Sequence, residues 1–157
     1  MRRALTVVLS CLIFPSTCFA NDVARCGNPT GTGYFPYLGL VGKNGAGWQK
    51  EKISGGLTTL TRLDQGEYDI LFTDATKSVI SSRQDGGKVV RLVRGRDDAM
   101  FIVLYPQGTV EIYTFLIDKA GKAEYIVTTS RAGDAGFVAK STVMQGGCQF
   151  VNLHMID

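Results

Sequence analysis

Ala99-Met100-Phe101-Ile102-Val103-Leu104-Tyr105, then Pro106-Gln107-Gly108-Thr109, then Val110-Glu111-Ile112-Tyr113-Thr114-Phe115-Leu116-Ile117 is the stretch whose reading decides the fold. Two apolar, β-branched and aromatic runs flank a short Pro/Gly turn, which is the signature of a β-hairpin. In the first run Ala99, Phe101, Val103 and Tyr105 share one face, and Met100, Ile102 and Leu104 share the other. In the second, Val110, Ile112 and Leu116 oppose Tyr113, Phe115 and Ile117. Strands that are apolar on both faces need cover on both. This hairpin is therefore expected at the sheet centre, with its second face under an N-terminal arm.

Outward from the hairpin the same rhythm repeats. Toward the N-terminus lie Leu57 to Leu63, Tyr68 to Thr73, Ser78 to Arg83 and Lys88 to Arg94. Toward the C-terminus lie Lys122 to Thr129, Gly136 to Met144 and Cys148 to Leu153, the last two divided at Gln145-Gly146-Gly147. Short strands joined by turns of two to five residues predict an all-β fold, an antiparallel meander forming a barrel or a two-layer sandwich. Residues 75–84 admit two readings. Asp74 could cap a helix running to Gly86, but serines and β-branched residues weaken it, so a hairpin turn at Asp74 to Lys77 is expected.

Residues 21–47 carry Pro29, Pro36 and six glycines, from Gly31 to Gly47, besides Gly27. That density of turn formers predicts an irregular Gly/aromatic-rich N-terminal arm, with one short strand at Tyr37 to Val41.

Residues 1–20 read as a cleaved secretory signal peptide. Arg2 and Arg3 precede an apolar run of about 11 residues, too short to span a bilayer. Pro15 then breaks the run, and Cys18 and Ala20 place small side chains where a signal peptidase reads. Residues 21–157 are expected to form a single β domain, periplasmic or secreted. No other apolar segment is long enough to be a transmembrane segment. The leader takes two of the 17 basic residues and none of the 14 acidic ones, so the net charge falls from +3 to +1. Such a balance argues against nucleic acid as a partner.

Two cysteines leave with the leader, Cys11 and Cys18. Cys26 and Cys148 remain, and in an oxidising compartment they are expected to form a disulfide. Closing so long a loop is worth roughly 5 kcal/mol in the chain-entropy model. With one histidine, His154, and no second cysteine pair, neither a zinc site nor any other metal or cofactor site is expected.

The order Gly-Tyr-Phe-Pro-Tyr at 33–37, Gly-Trp at 47–48, Ile-Ser-Gly-Gly at 53–56, Tyr-Asp-Ile-Leu-Phe at 68–72 and Gln-Asp-Gly-Gly at 84–87 resembles small exported bacterial proteins of unassigned function. The resemblance spans most of residues 21–157. It implies a single exported β domain and brings no catalytic residue with it.

Chemistry-bearing residues are few. His154 lies three residues from the C-terminus and reads as an exposed tail histidine, which excludes a Ser-His-Asp or Cys-His enzyme. Asp64, Glu67, Asp69 and Asp74 cluster in sequence; they read as solvated hairpin charges, or as paired carboxylates for glycoside hydrolysis. Arg83, Lys88, Arg91, Arg94 and Arg96 are interrupted by Asp85, Asp97 and Asp98, and read as a salt-bridged surface that protects a sheet edge. Tyr34, Phe35, Tyr37 and Trp48 read as a core plug, and they are also the best candidates for a ligand-binding surface, since Tyr and Trp offer both apolar area and a hydrogen bond. The expectation is a non-catalytic exported protein that binds a small ligand or an envelope partner. The alternative is a hydrolase of cell-wall or extracellular polymer working through paired carboxylates.

Overall fold

The computed structural model of the chain describes residues 21–73, 76–132 and 138–157. The predicted leader, Asp74 and the start of the 136–144 run lie outside them. Ten strands form one antiparallel sheet: β1 (Asn21–Phe35), β2 (Gly47–Lys52), β3 (Leu57–Arg62), β4 (Tyr68–Thr73), β5 (Val79–Ser81), β6 (Lys88–Arg94), β7 (Asp98–Tyr105), β8 (Thr109–Ile117), β9 (Ala123–Arg131) and β10 (Lys140–Val151). Their order is β5-β4-β3-β1-β10-β9-β8-β7-β6, with β2 paired to β1 beside that path. The sheet curls into a half-barrel rather than stacking as a sandwich. Two meanders, β3 to β5 and β6 to β10, are stitched together by β1.

Aromatic side chains fill the concave interior. Tyr68 on β4 meets Phe101 on β7 edge-on at 5.0 Å, and Phe115 lies 6.2 Å from both Phe101 and Tyr125. The Tyr68–Phe101 contact crosses the barrel, so the curl is held by side chains from opposite ends of the sheet order. Segment 81–87 spans the same gap. Ser82 N donates to Ile70 O on one side, while Gly87 N donates to Ser82 O and Tyr105 Oη donates to Ser82 Oγ on the other. The C-terminal turn docks as well: Leu153 and Ile156 are buried, and Asp157 N donates to Tyr68 Oη.

The disulfide is present as expected. Cys26 and Cys148 face each other in register on β1 and β10, with their Cα atoms 3.8 Å apart. It closes a separation of 122 residues at the seam between the two meanders.

Four expectations need correction. First, the N-terminal segment is irregular only from Pro36 to Ala46; residues 21–35 are the central strand, and Tyr37 to Val41 is a turn. Its glycines permit close approach of backbones rather than turns. A Cβ on Gly31 would overlap the carbonyl oxygen of Val143 on β10. Second, Gly146 and Gly147 do not break the chain into two strands. β10 runs straight through, because a Cβ on Gly146 would sit 2.5 Å from both Gly27 O and the Tyr125 ring. Third, the 99–117 hairpin lies toward one end of the order, not at its centre. Fourth, the arm does not fold over that hairpin. Tyr37 and Trp48 are exposed, and the outer-face residues Met100 and Ile102 gain partial cover within their own rows, which run Val93–Met100–Thr114–Ile126 and Val90–Ile102–Ile112–Thr128. The 75–84 ambiguity resolves as a hairpin, with Thr73 paired to Val79.

Candidate functional site

Cross-strand register builds the wall of a cavity on the concave face. Residues directly opposite in an antiparallel sheet point to the same side. One inward row runs Val103, Glu111, Thr129, Thr142 across β7 to β10. The row above it, at the open end, runs Tyr105, Thr109, Arg131, Lys140. The row below runs Phe101, Tyr113, Val127, Met144 and, across β1, reaches Glu51 on β2. Thr58, Phe72 and Ile53 form the opposing wall. The enclosed volume is about 200 Å³. A neighbouring hollow of about 260 Å³, lined by Tyr105, Thr109 and Asp85, shares Phe72, Glu111 and Arg131 with it.

Glu111 lies where the two hollows meet. Its position on β8 places it with Tyr113 and Phe115 on the core face, and Tyr113 Oη donates to Glu111 Oε2 at 2.7 Å. Burial pushes the Glu111 carboxyl above its ordinary range, against the opposing pull of the Tyr113 hydroxyl, Arg131, Lys140 and the Tyr105 hydroxyl. Burial, then the Glu111 charge, raises the Tyr105 and Tyr113 phenols in turn. Burial likewise raises Tyr125, whose hydroxyl accepts a bond from Thr58 Oγ1 at 3.5 Å. Ion pairing organises the rim. Lys140 Nζ lies 3.4 Å from Glu51 Oε2 and 5.8 Å from the centre of the Phe35 ring. Arg131 Nε donates to Thr109 Oγ1 at 3.2 Å. The cavity therefore offers hydroxyls that can donate or accept, apolar ring faces, and charges of both signs.

The residues singled out in the sequence are dispersed. Tyr34 and Trp48 meet edge-on at 5.5 Å on the outer face, and Tyr37 is exposed in the β1–β2 loop. Phe35 alone of these four turns toward the cavity rim, beneath Lys140. Asp64 sits in the turn before β4, and Glu67 pairs with Arg83 at 2.7 Å. Asp69 is buried under the 81–84 segment, where it accepts bonds from Ser81 Oγ, Ile70 N and Arg83 N. None of these three lines the cavity. Of the basic group, Arg94 donates to the carbonyls of Gly95 and Leu153, and Arg96 lies near Asp97. His154 is exposed. Among the described residues, no three His, Cys, Asp or Glu side chains gather closely enough to hold a metal ion. No helix among them is long and apolar enough to cross a membrane.

Sequence reasoning missed Glu111, although a signal was available. Strand alternation puts this acid on the same face as Tyr113 and Phe115, and an ionisable group on a core face is unusual. Comparison of the chain with protein-family models, with curated proteins and with solved structures finds no match in any of the three.

Proposed function

We propose that this chain is a non-catalytic exported protein that binds a small ligand in the concave cavity. The observation that carries the reading is Glu111, a half-buried carboxylate in the wall of an open cavity, with Tyr105, Tyr113, Thr109 and Thr129 around it. Ionised, it weakens the folded state, and it ties no turn or strand end together. Such groups are retained at sites that act on something else. The lining carries Glu51 and Glu111 against Arg131 and Lys140, so it has no net preference for one sign of charge. It favours an uncharged or zwitterionic molecule bearing hydroxyl or amide groups on a compact body. Export is supported by the leader read in residues 1–20 and by a disulfide compatible with an oxidising compartment.

The test is protein-observed NMR with a panel of neutral hydroxylated and zwitterionic small molecules. Binders should perturb the amide signals of Glu111, Tyr113 and Thr129, and Glu111→Leu should weaken them at least tenfold, as loss of a buried charge-assisted bond does. Binders that perturb other strands, or that ignore the substitution, would remove the cavity from the account.

One observation favours a second reading. Glu51 and Glu111 line the same cavity, so a hydrolase working through paired carboxylates would place its pair there. Incubation with soluble cell-wall fragments distinguishes the two. Cleavage abolished by Glu111→Gln supports the hydrolase, and we expect intact fragments.

A further inference from the structure

The hairpin formed by β1 and β2 bears exposed apolar side chains on its outer face and in its connecting loop. β2 pairs with β1 alone. Of the twelve large apolar side chains exposed among the described residues, five fall between positions 34 and 48: Tyr34, Tyr37, Leu38, Leu40 and Trp48. Tyr37 is 71% exposed and Trp48 73%. Isolated exposed apolar residues are ordinary, but a cluster on one hairpin marks an interaction surface. The loop holds its shape through its own backbone. Leu38 N donates to Pro36 O, Val41 N to Leu38 O and Gly45 N to Gly42 O, while Val41 turns inward and is buried.

Charge accompanies the apolar cluster in a fixed geometry. Along β2, residues 48, 50 and 52 share the outer face, so Trp48, Lys50 and Lys52 point the same way, and Tyr34 stands opposite Trp48 in register. Lys43 lies in the turn between the strands. The only acid from position 34 to 52 is Glu51. It faces the concave side and is paired with Lys140, so it does not neutralise the outer lysines. Aromatic rings beside lysines on an exposed apolar loop match the boundary of a bilayer. There, Trp and Tyr lie at headgroup depth and ammonium groups meet lipid phosphates. A protein partner would more commonly be met by a surface depleted of lysine.

We propose that the hairpin spanning residues 34–52 docks the protein onto an anionic lipid surface. Tyr37, Leu38, Leu40 and Trp48 enter the headgroup–acyl boundary, and Lys43, Lys50 and Lys52 face the phosphates. This surface lies on the outer side of the sheet, and the proposal does not depend on the cavity or its ligand.

Trp48 is the only tryptophan, so its emission reports the docking directly. Titration with vesicles of phosphatidylglycerol and phosphatidylcholine should shift its fluorescence to shorter wavelength. Vesicles of phosphatidylcholine alone should shift it far less. Salt near 1 M, where the Debye length is about 3 Å, should reverse the shift. Each of Lys43→Gln, Lys50→Gln and Lys52→Gln should weaken partitioning about fivefold, from the roughly 1 kcal/mol that each surface cation contributes. The triple variant Y37S/L38S/L40S keeps the reporter and, since all three side chains are exposed, should keep the fold by circular dichroism. It should lose the shift. Binding by a different segment of the chain would sediment the protein while leaving Trp48 emission unmoved, and would overturn the proposal. So would equal response to the two vesicle compositions, or no response to either; the last outcome would assign the hairpin to a protein partner.

Discussion

Asp69 on β4 and Glu111 on β8 are both carboxylates withdrawn from water, yet their hydrogen bonds come from different kinds of donor. Asp69 accepts from Ser81 Oγ and from the backbone N–H groups of Ile70 and Arg83. Ser81 and Arg83 belong to the segment that bridges the two ends of the curled sheet, and Ile70 to β4 itself. Glu111 accepts from the Tyr113 hydroxyl and faces a cavity. A carboxylate bonded to main-chain donors fixes the path of the chain, because each bond holds a residue whose position the fold requires. A carboxylate bonded to side-chain hydroxyls in an open hollow fixes little. Its environment leaves room for the ligand proposed above. Asp69 holds the half-barrel in its curl, and Glu111 sits in the space that the curl creates.

The disulfide provides a reference against which to measure both acids. Cys26→Ala with Cys148→Ala should lower stability by about 2–5 kcal/mol, as freeing a long loop in the denatured chain does. The loss should be nearly the same at every pH, because the bond carries no titrating group. Urea denaturation at several pH values measures it. A strongly pH-dependent loss would mean that the seam and the acids are coupled, and the comparison would have to be redrawn.

Asp69→Ala should cost about 3 kcal/mol. Removing the acceptor leaves the buried donors Ile70 N and Ser81 Oγ unsatisfied, and each such group carries a desolvation penalty of about 1–3 kcal/mol. Amide exchange should accelerate over residues 79–87 before the rest of the sheet opens. A loss below about 1 kcal/mol, with no local exchange, would show that the bridging segment holds without its acid.

This contrast explains what the sequence could and could not reveal. The strands were legible because Ala99 to Tyr105, Val110 to Ile117 and Tyr68 to Thr73 alternate or run apolar between turn residues, and local patterning decides local structure. The cysteine pairing was legible from their number. β1 was not, because Gly31 and Gly33 look like turn residues in one dimension. Only the nearness of β10 shows that they are there for want of room. The half-barrel's cavity was illegible for a related reason. Glu111, Thr129 and Thr142 become neighbours through two registers of strand pairing, and no spacing along the chain announces them. Of the acids that attracted notice, Asp64, Glu67 and Asp69 are close in sequence because they belong to one turn and the strand that follows it. Proximity of that kind serves turns more often than chemistry.

The smallest expected effect is also the most discriminating, because its sign tells whether the charge of Glu111 supports or opposes the fold. Burial raises the folded-state pKa of Glu111 above that of the unfolded chain. Its protonated form is therefore the one the fold favours. The stability linked to that proton is fully present below the ordinary carboxylate range and is lost as pH rises through the raised folded value. Glutamine has the same shape, can accept the Tyr113 hydrogen bond through its amide oxygen, and does not ionise. Glu111→Gln should thus match the parent in acid. As pH rises to neutrality it should become the more stable of the two, by about 0.5–2 kcal/mol, the usual gain when a group kept for function is replaced by one that suits the fold. Thermal denaturation from pH 4 to pH 8 follows the difference. Should the variant instead lose stability at neutral pH, the carboxylate of Glu111 would be part of what holds the fold, and the contrast with Asp69 would fail. A carboxylate whose charge weakens the fold, set in the wall of an open cavity, is the contact that the proposed ligand would make.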